Sequence, residues 1–121
     1  MTRNFDLLRS ILLQVEASPA TGQPVQSLEC DDSISQATLG EHIDLLIEAG
    51  LVDGEVIAYD PVCFFIRRLT GKGHDFLEHA RNDTIWKKVR AEAKTKGISV
   101  TLHILDGLLT KAADKYAGLG D

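Results

Sequence analysis

The sequence predicts an α+β domain built as helix, short strand, helix, β-hairpin and helix, with additional helices at its C-terminus. Three observations carry this reading. Thr38 to Ala49 places Leu39, Ile43, Leu46 and Ile47 at helical spacing and stops at Gly50, a residue that tolerates the left-handed conformation after a helix. Leu51 to Thr70 then holds two β-branched and aromatic runs, Val56 to Tyr59 and Cys63 to Leu69, bent apart by Asp60-Pro61. Leu69-Thr70-Gly71-Lys72-Gly73 opens a further amphipathic helix. Helix, hairpin and helix in that order are winged-helix-like, with the hairpin as the wing. Residues 1–82 read as the winged-helix-like core and residues 83–121 as a C-terminal helical extension packed on the same domain.

Taken in order, the first helix runs from Phe5 to about Glu16, with Phe5, Leu8, Ile11, Leu12 and Val15 on one face and Asn4 as its cap. Ser18-Pro19 ends it, and Ala20-Thr21-Gly22-Gln23-Pro24 forms a turn-rich connection. Val25 to Glu29 alternates weakly, as a short strand would. A helix-turn-helix needs a supporting helix at this place, yet Val25 to Ser35 reads as strand and turn. We therefore expect one continuous helix to Ala49, capped by Ser33 or Ser35, with Thr38-x-x-Glu41 as a capping box that leaves a break near Thr38 open. Alternation does not decide which face of the hairpin is buried. Thr70 caps the helix carrying Phe76, Leu77 and Ala80, and Asn82 or Asp83 caps the one carrying Ile85, Trp86 and Val89, where Trp86 is read as a core anchor. Ser99 is placed to cap a last helix whose stripe of Leu102, Leu105, Leu109, Ala112 and Tyr116 serves either internal packing or half of a homodimer interface.

With 121 residues, 44% hydrophobic and 26% charged, the chain has enough apolar matter for one globular domain. No apolar run is long enough to span a bilayer, so a cytoplasmic protein without membrane contact is expected. Cys30 and Cys63 lack C-x-x-C spacing and read as reduced thiols, Cys63 as a small buried side chain in its strand.

Charge is distributed unevenly. The net value is −5, and between Arg9 and Arg67 there is no Lys or Arg at all. The helix that would enter a DNA groove carries Glu41, Asp44 and Glu48, and only Gln36 and His42 are suited to reading base edges. Duplex binding draws most of its affinity from cations on phosphates, so the usual winged-helix mode is disfavoured. Cations resume after the hairpin: Arg67 and Arg68 at its end, then Lys87, Arg90 and Lys94 on one helical face, with Lys88 and Lys96 nearby. If nucleic acid is bound, that surface carries it.

No catalytic signature emerges. His42, His74, His79 and His103 form no H-E-x-x-H; His74 and His79 are five apart and point to different sides of a helix. Gly71-Lys72-Gly73 lacks the glycine and the Ser or Thr of a phosphate loop. Asp31-Asp32 and Asp53-x-Glu55 are explained by turn chemistry. The expectation is therefore no catalytic residue, no cofactor and no metal.

Three segments carry a family resemblance: Asp6-Leu7-Leu8-Arg9-Ser10-Ile11-Leu12, His42 through Leu51, and Arg68 through Leu77 continuing to Asp83-Thr84-Ile85-Trp86. They resemble the bacterial and phage-associated family catalogued as domain of unknown function 2513. The resemblance implies a winged-helix-like fold and transfers no activity and no catalytic residues. Together these readings point to a non-catalytic regulatory or interaction module that meets a protein partner through Glu41, Asp44 and Glu48 and self-associates through the terminal stripe. The alternative is a DNA-binding transcription regulator of phage or prophage type, using Arg67, Arg68 and the basic Lys87–Lys96 helix.

Overall fold

Five helices and one two-stranded antiparallel sheet follow one another as α1 (Phe5–Ala17), α2 (Gln36–Glu48), β1 (Val52–Tyr59), β2 (Val62–Leu69), α3 (Gly71–Ala80), α4 (Asp83–Thr95) and α5 (Leu102–Leu119). The structure, a computed structural model, describes residues 3–19, 22–96 and 101–119. The chain divides into two compact units, Met1–His74 and Asp75–Asp121, and the division falls within α3, ahead of residue 82.

In the first unit, α1 starts where the Asn4 carboxamide oxygen accepts the Leu7 N–H at 3.0 Å. Its Leu8, Ile11 and Leu12 are almost wholly removed from water, a burial of about 1.5–3 kcal/mol for each such side chain. The helix stops at Ser18, whose hydroxyl donates to the Val15 carbonyl at 2.7 Å. The strand expected over Val25 to Glu29 shrinks to a single bridge, in which Val25 and Ile66 exchange both backbone hydrogen bonds at 2.8 and 2.9 Å. Its far end is taken by a side chain instead: the Gln14 carboxamide donates to the Glu29 carbonyl at 2.7 Å and accepts the Glu29 N–H at 2.8 Å. An amide side chain thus imitates the strand partner that would have extended the bridge.

No supporting helix forms between Val25 and Ser35. The Asp31 carboxylate accepts the Ser33 N–H at 2.8 Å, and the Ile34 N–H reaches the Asp31 carbonyl at 2.9 Å, closing a turn. Bonds from the Ser33 backbone and side chain hold the Asp31 carboxyl below the usual carboxylate range. Ser35, not Ser33, then caps α2, its hydroxyl accepting the Thr38 N–H at 3.1 Å, and the helix runs through Thr38 without a break. At its end Gly50 has φ of +75°. The Gly50 and Leu51 N–H groups bond back to Ile47 and Leu46, each at 3.0 Å, while Leu46 and Leu51 are both buried.

The two strands meet through Asp60-Pro61, and Val52, Phe64, Ile66 and Leu69 face the core. This face was not readable from alternation because the ladder slips twice. Asp53 pairs with Arg68 but Gly54 pairs with Ile66, so Arg67 is an extra residue in β2 and both arginines point outward. Gly54 is needed at that slip: a Cβ there would sit 2.3 Å from the Phe65 carbonyl oxygen. Cys63, expected to be buried, pairs with Ala58 on the outward face and is exposed, as is Cys30; both are free thiols.

Thr70 caps α3 as expected: its hydroxyl accepts the Gly73 N–H at 3.1 Å and donates to the Gly50 carbonyl. In the second unit Asn82 caps α4, accepting the Ile85 N–H at 3.0 Å, and α4 packs on α5 with Trp86, Val89, Ala93, Leu105 and Leu109 buried. The expected Ser99 cap lies outside the described residues, and α5 is capped by Thr101, whose hydroxyl accepts the Ile104 N–H at 3.2 Å. Among the described residues no helix is long and apolar enough to cross a membrane.

Two glycines of one helix turn test this packing. A Cβ on Gly73 would lie 2.0 Å from the Leu51 carbonyl oxygen, whereas one on Gly71 meets nothing within 4 Å. Gly73→Ala is expected to lower stability by about 1–3 kcal/mol or more, while Gly71→Ala should raise it by roughly 0.4–1 kcal/mol; urea unfolding of both variants measures the contrast.

Candidate functional site

The surface with the strongest chemical character in the first unit is the outer face of α2 together with the end of the hairpin laid along it. Gln36, the first residue of α2, accepts the Val62 N–H through its side-chain oxygen at 2.7 Å. One turn further the Tyr59 ring lies over Gly40, where a Cβ would be 2.8 Å from Tyr59 Cδ1 and 3.2 Å from Val62 Cγ2. Glycine at this buried helical position therefore sets how closely the hairpin approaches. The Tyr59 hydroxyl donates to the Asp44 carboxylate. That hydrogen bond, followed by partial desolvation and then by the negative charges of Asp44, Glu41 and Glu48, pushes the phenol above its ordinary value. Glu41 and Glu48 are exposed and Asp44 is half-buried. Among the described residues no Lys or Arg forms an ion pair with any of the three.

His42 corrects an expectation. It is not available to read a base edge, because it is wholly buried. Its Nε2 accepts the Asn4 N–H at 2.9 Å and its Nδ1 lies 2.8 Å from the Thr38 carbonyl. A carbonyl only accepts, so Nδ1 carries the proton and the ring is the neutral Nδ1–H tautomer. His42 is thus a core group that ties the start of α1 to α2. Gln36, the other candidate reader, has its side-chain oxygen committed to the hairpin.

A family model described as "Hypothetical protein (DUF2513)" matches residues 2–99. An "Uncharacterized protein" of Haemophilus influenzae is 36% identical over 109 residues, covering 87% of this chain and 89% of the relative. No solved structure matches the chain. The chain belongs to the DUF2513 family.

The other candidate residues of the DUF2513 chain are dispersed. Arg67 reaches Asp53 at 3.4 Å and stands 4.8 Å over the Phe65 ring, while Arg68 donates from Nη1 to the Leu69 carbonyl at 3.1 Å. In the second unit Lys87 and Lys94 are exposed on α4, but Arg90 is half-buried with its guanidinium 6.0 Å from the centre of the Trp86 ring. His79 turns toward α5, with Nδ1 3.0 Å from the Asp106 carboxylate and 3.2 Å from the Thr110 hydroxyl. His74 and His103 are exposed. Among the described residues no three His, Cys, Asp or Glu side chains gather to hold a metal ion.

The terminal stripe is unevenly buried. Leu105 and Leu109 have no exposure, and α5 packs on α4, so neither leucine can meet a second copy without opening the unit. Leu102 and Ala112 are half-buried, and the Tyr116 side chain lies outside the described residues. Sequence reasoning did not single out Tyr59. Its role arises from hairpin placement, and the small residue at position 40 in an otherwise regular helix was the one available signal.

Two measurements check this site. His42→Ala should cost about 2–4 kcal/mol, from the cavity and from the Asn4 N–H left without its partner, and should strip hydrogen-exchange protection from the Asn4 amide. A raised phenol value favours the folded state below the ordinary tyrosine range and withdraws that contribution as pH rises through the folded value. Ultraviolet titration should therefore show a late-ionising phenol that is lost in Tyr59→Phe and shifted back toward the ordinary value in Asp44→Asn.

Proposed function

We propose that this DUF2513 chain is a non-catalytic, winged-helix-type interaction module that recognises a cationic protein partner through the acidic outer face of α2. The chain order supports the winged-helix reading: α1, the Val25–Ile66 bridge, α2 and a hairpin, with a turn at residues 31–34 standing where a supporting helix would lie. The observation that carries the functional reading is the engagement of α2 by its own hairpin. Gln36 and Tyr59 hold the hairpin against the helix that a DNA-binding winged helix would insert in the groove, and Glu41 and Glu48 are left facing water there. A phosphate lattice is repelled by such a face, whereas lysines and arginines of a protein partner complement it. Self-association through α5 is no part of this reading, since Leu105 and Leu109 are already enclosed.

Fluorescence anisotropy with two labelled probes at low salt tests the assignment: an Arg/Lys-rich model peptide and a random-sequence DNA duplex. The peptide should bind, and Glu41→Lys with Glu48→Lys should abolish its binding, while duplex affinity should be weaker than the roughly 10⁻⁴ M of feeble non-specific binders. Tight duplex binding that disappears in Lys87→Glu with Lys94→Glu would instead establish the DNA-binding alternative.

A further inference from the structure

A cleft of about 430 Å³ opens in the Met1–His74 unit, between the last turn of α1, residues 18–19 and 22–24, and the end of β2. That volume lies within the range of small-molecule sites, which pair an apolar lining with a few placed polar groups. Here the buried Val15 and Leu69 supply the apolar lining, and Arg67, Arg68, His74 and Glu16 supply the polar groups.

The arginines reach the cleft together because of the slip in the hairpin. A regular strand would send consecutive side chains to opposite faces; the extra residue at Arg67 leaves both exposed on the side that lines the cleft. Arg67 also stands 4.8 Å over the Phe65 ring, whereas Arg68 keeps most of its donors available. Of the five N–H donors of Arg68, the described residues engage one, through the Leu69 carbonyl. The Arg67–Asp53 pair, at 3.4 Å between side chains 58% and 44% exposed, is of the solvent-weakened kind that a better partner displaces. The His74 ring makes no hydrogen bond among the described residues. α3 begins between two lining residues, Leu69 and His74. In a chain of net charge −5 with no cation between Arg9 and Arg67, two adjacent arginines line this cavity.

We propose that this cleft binds a small organic oxyanion, a carboxylate or phosphate ester on a short apolar body. Arg68 is the principal anchor through its planar fork of donors, Arg67 exchanges Asp53 for the ligand, and the apolar body rests on Val15 and Leu69. The site is separate from the acidic face of α2 and does not depend on it.

Amide NMR titration of the full chain with sodium benzoate, phenyl phosphate, inorganic phosphate and benzyl alcohol tests the proposal. Benzoate or phenyl phosphate should give saturable shifts at Gly22, Gln23 and the Leu69–His74 amides, and the tighter of the two identifies the oxyanion. Arg68→Gln should weaken that binding by about ten-fold or more, while Arg68→Lys retains part of it. Arg68 is exposed, so an unchanged melting temperature is expected to confirm that these variants fold. Glu41→Lys with Glu48→Lys should leave the benzoate titration intact, so failure here and failure of the α2 assignment are distinguishable. No saturable shift with either organic anion, equal shifts with benzyl alcohol, inorganic phosphate binding as tightly as phenyl phosphate, or indifference to Arg68→Gln would each overturn the proposal.

Discussion

The Leu51 carbonyl is the group on which the first unit turns. It accepts the Thr70 N–H at 3.0 Å and lies where a Cβ at position 73 would be. Through it the end of α2, the base of the hairpin and the start of α3 are held at one point, with Val52 and Leu69 paired beside it. Thr70 closes the same junction from the other side, bonding both to the Gly50 carbonyl and to the first turn of α3. Glycine at 50 and 73 answers two different demands here: a left-handed backbone at the first and a lack of room at the second.

Once the base of the hairpin is held, its far end has little choice of position. It lies along α2, where Gln36, Gly40 and Asp44, spaced one turn apart on a single face, receive Val62 and Tyr59. Beside them, the inward stripe of the same helix carries Leu39, Ile43, Leu46 and the neutral His42. Two neighbouring stripes of α2 are thus engaged by its own chain, while Glu41 and Glu48 remain exposed. The electrostatic character of the unit follows from this packing as much as from composition.

The slip that turns Arg67 and Arg68 outward produces the opposite sign at the other end of the hairpin. An acidic face along α2 and a paired-arginine cleft by α1 are therefore consequences of one sheet, whose two irregularities let it satisfy a short helix on one side and a single bridge to Val25 on the other. In the second unit the analogous work falls to side chains, with His79, Asp106 and Thr110 joining α3 to α5 and Trp86 anchoring α4.

The sequence by itself determined what depends on neighbours along the chain. The Asn4, Ser35, Thr70 and Asn82 caps, the Gly50 stop, the continuous α2 and the hairpin were legible because each is a contest between a backbone group and a side chain within a few residues. Membership of the DUF2513 family was legible for a related reason, since its phrases are those of caps and stops. Tertiary structure alone decided the rest. Whether His42 is a surface reader or a core ligand of Asn4, whether Cys63 faces in or out, and whether Leu105 meets α4 or a second copy all turn on partners distant in sequence. The pairing of Tyr59 with Asp44 and the gathering of Arg68 with Val15 are of the same kind. Periodicity reports which residues share a face; a one-residue slip in a ladder, which leaves no mark on composition, decides what that face meets.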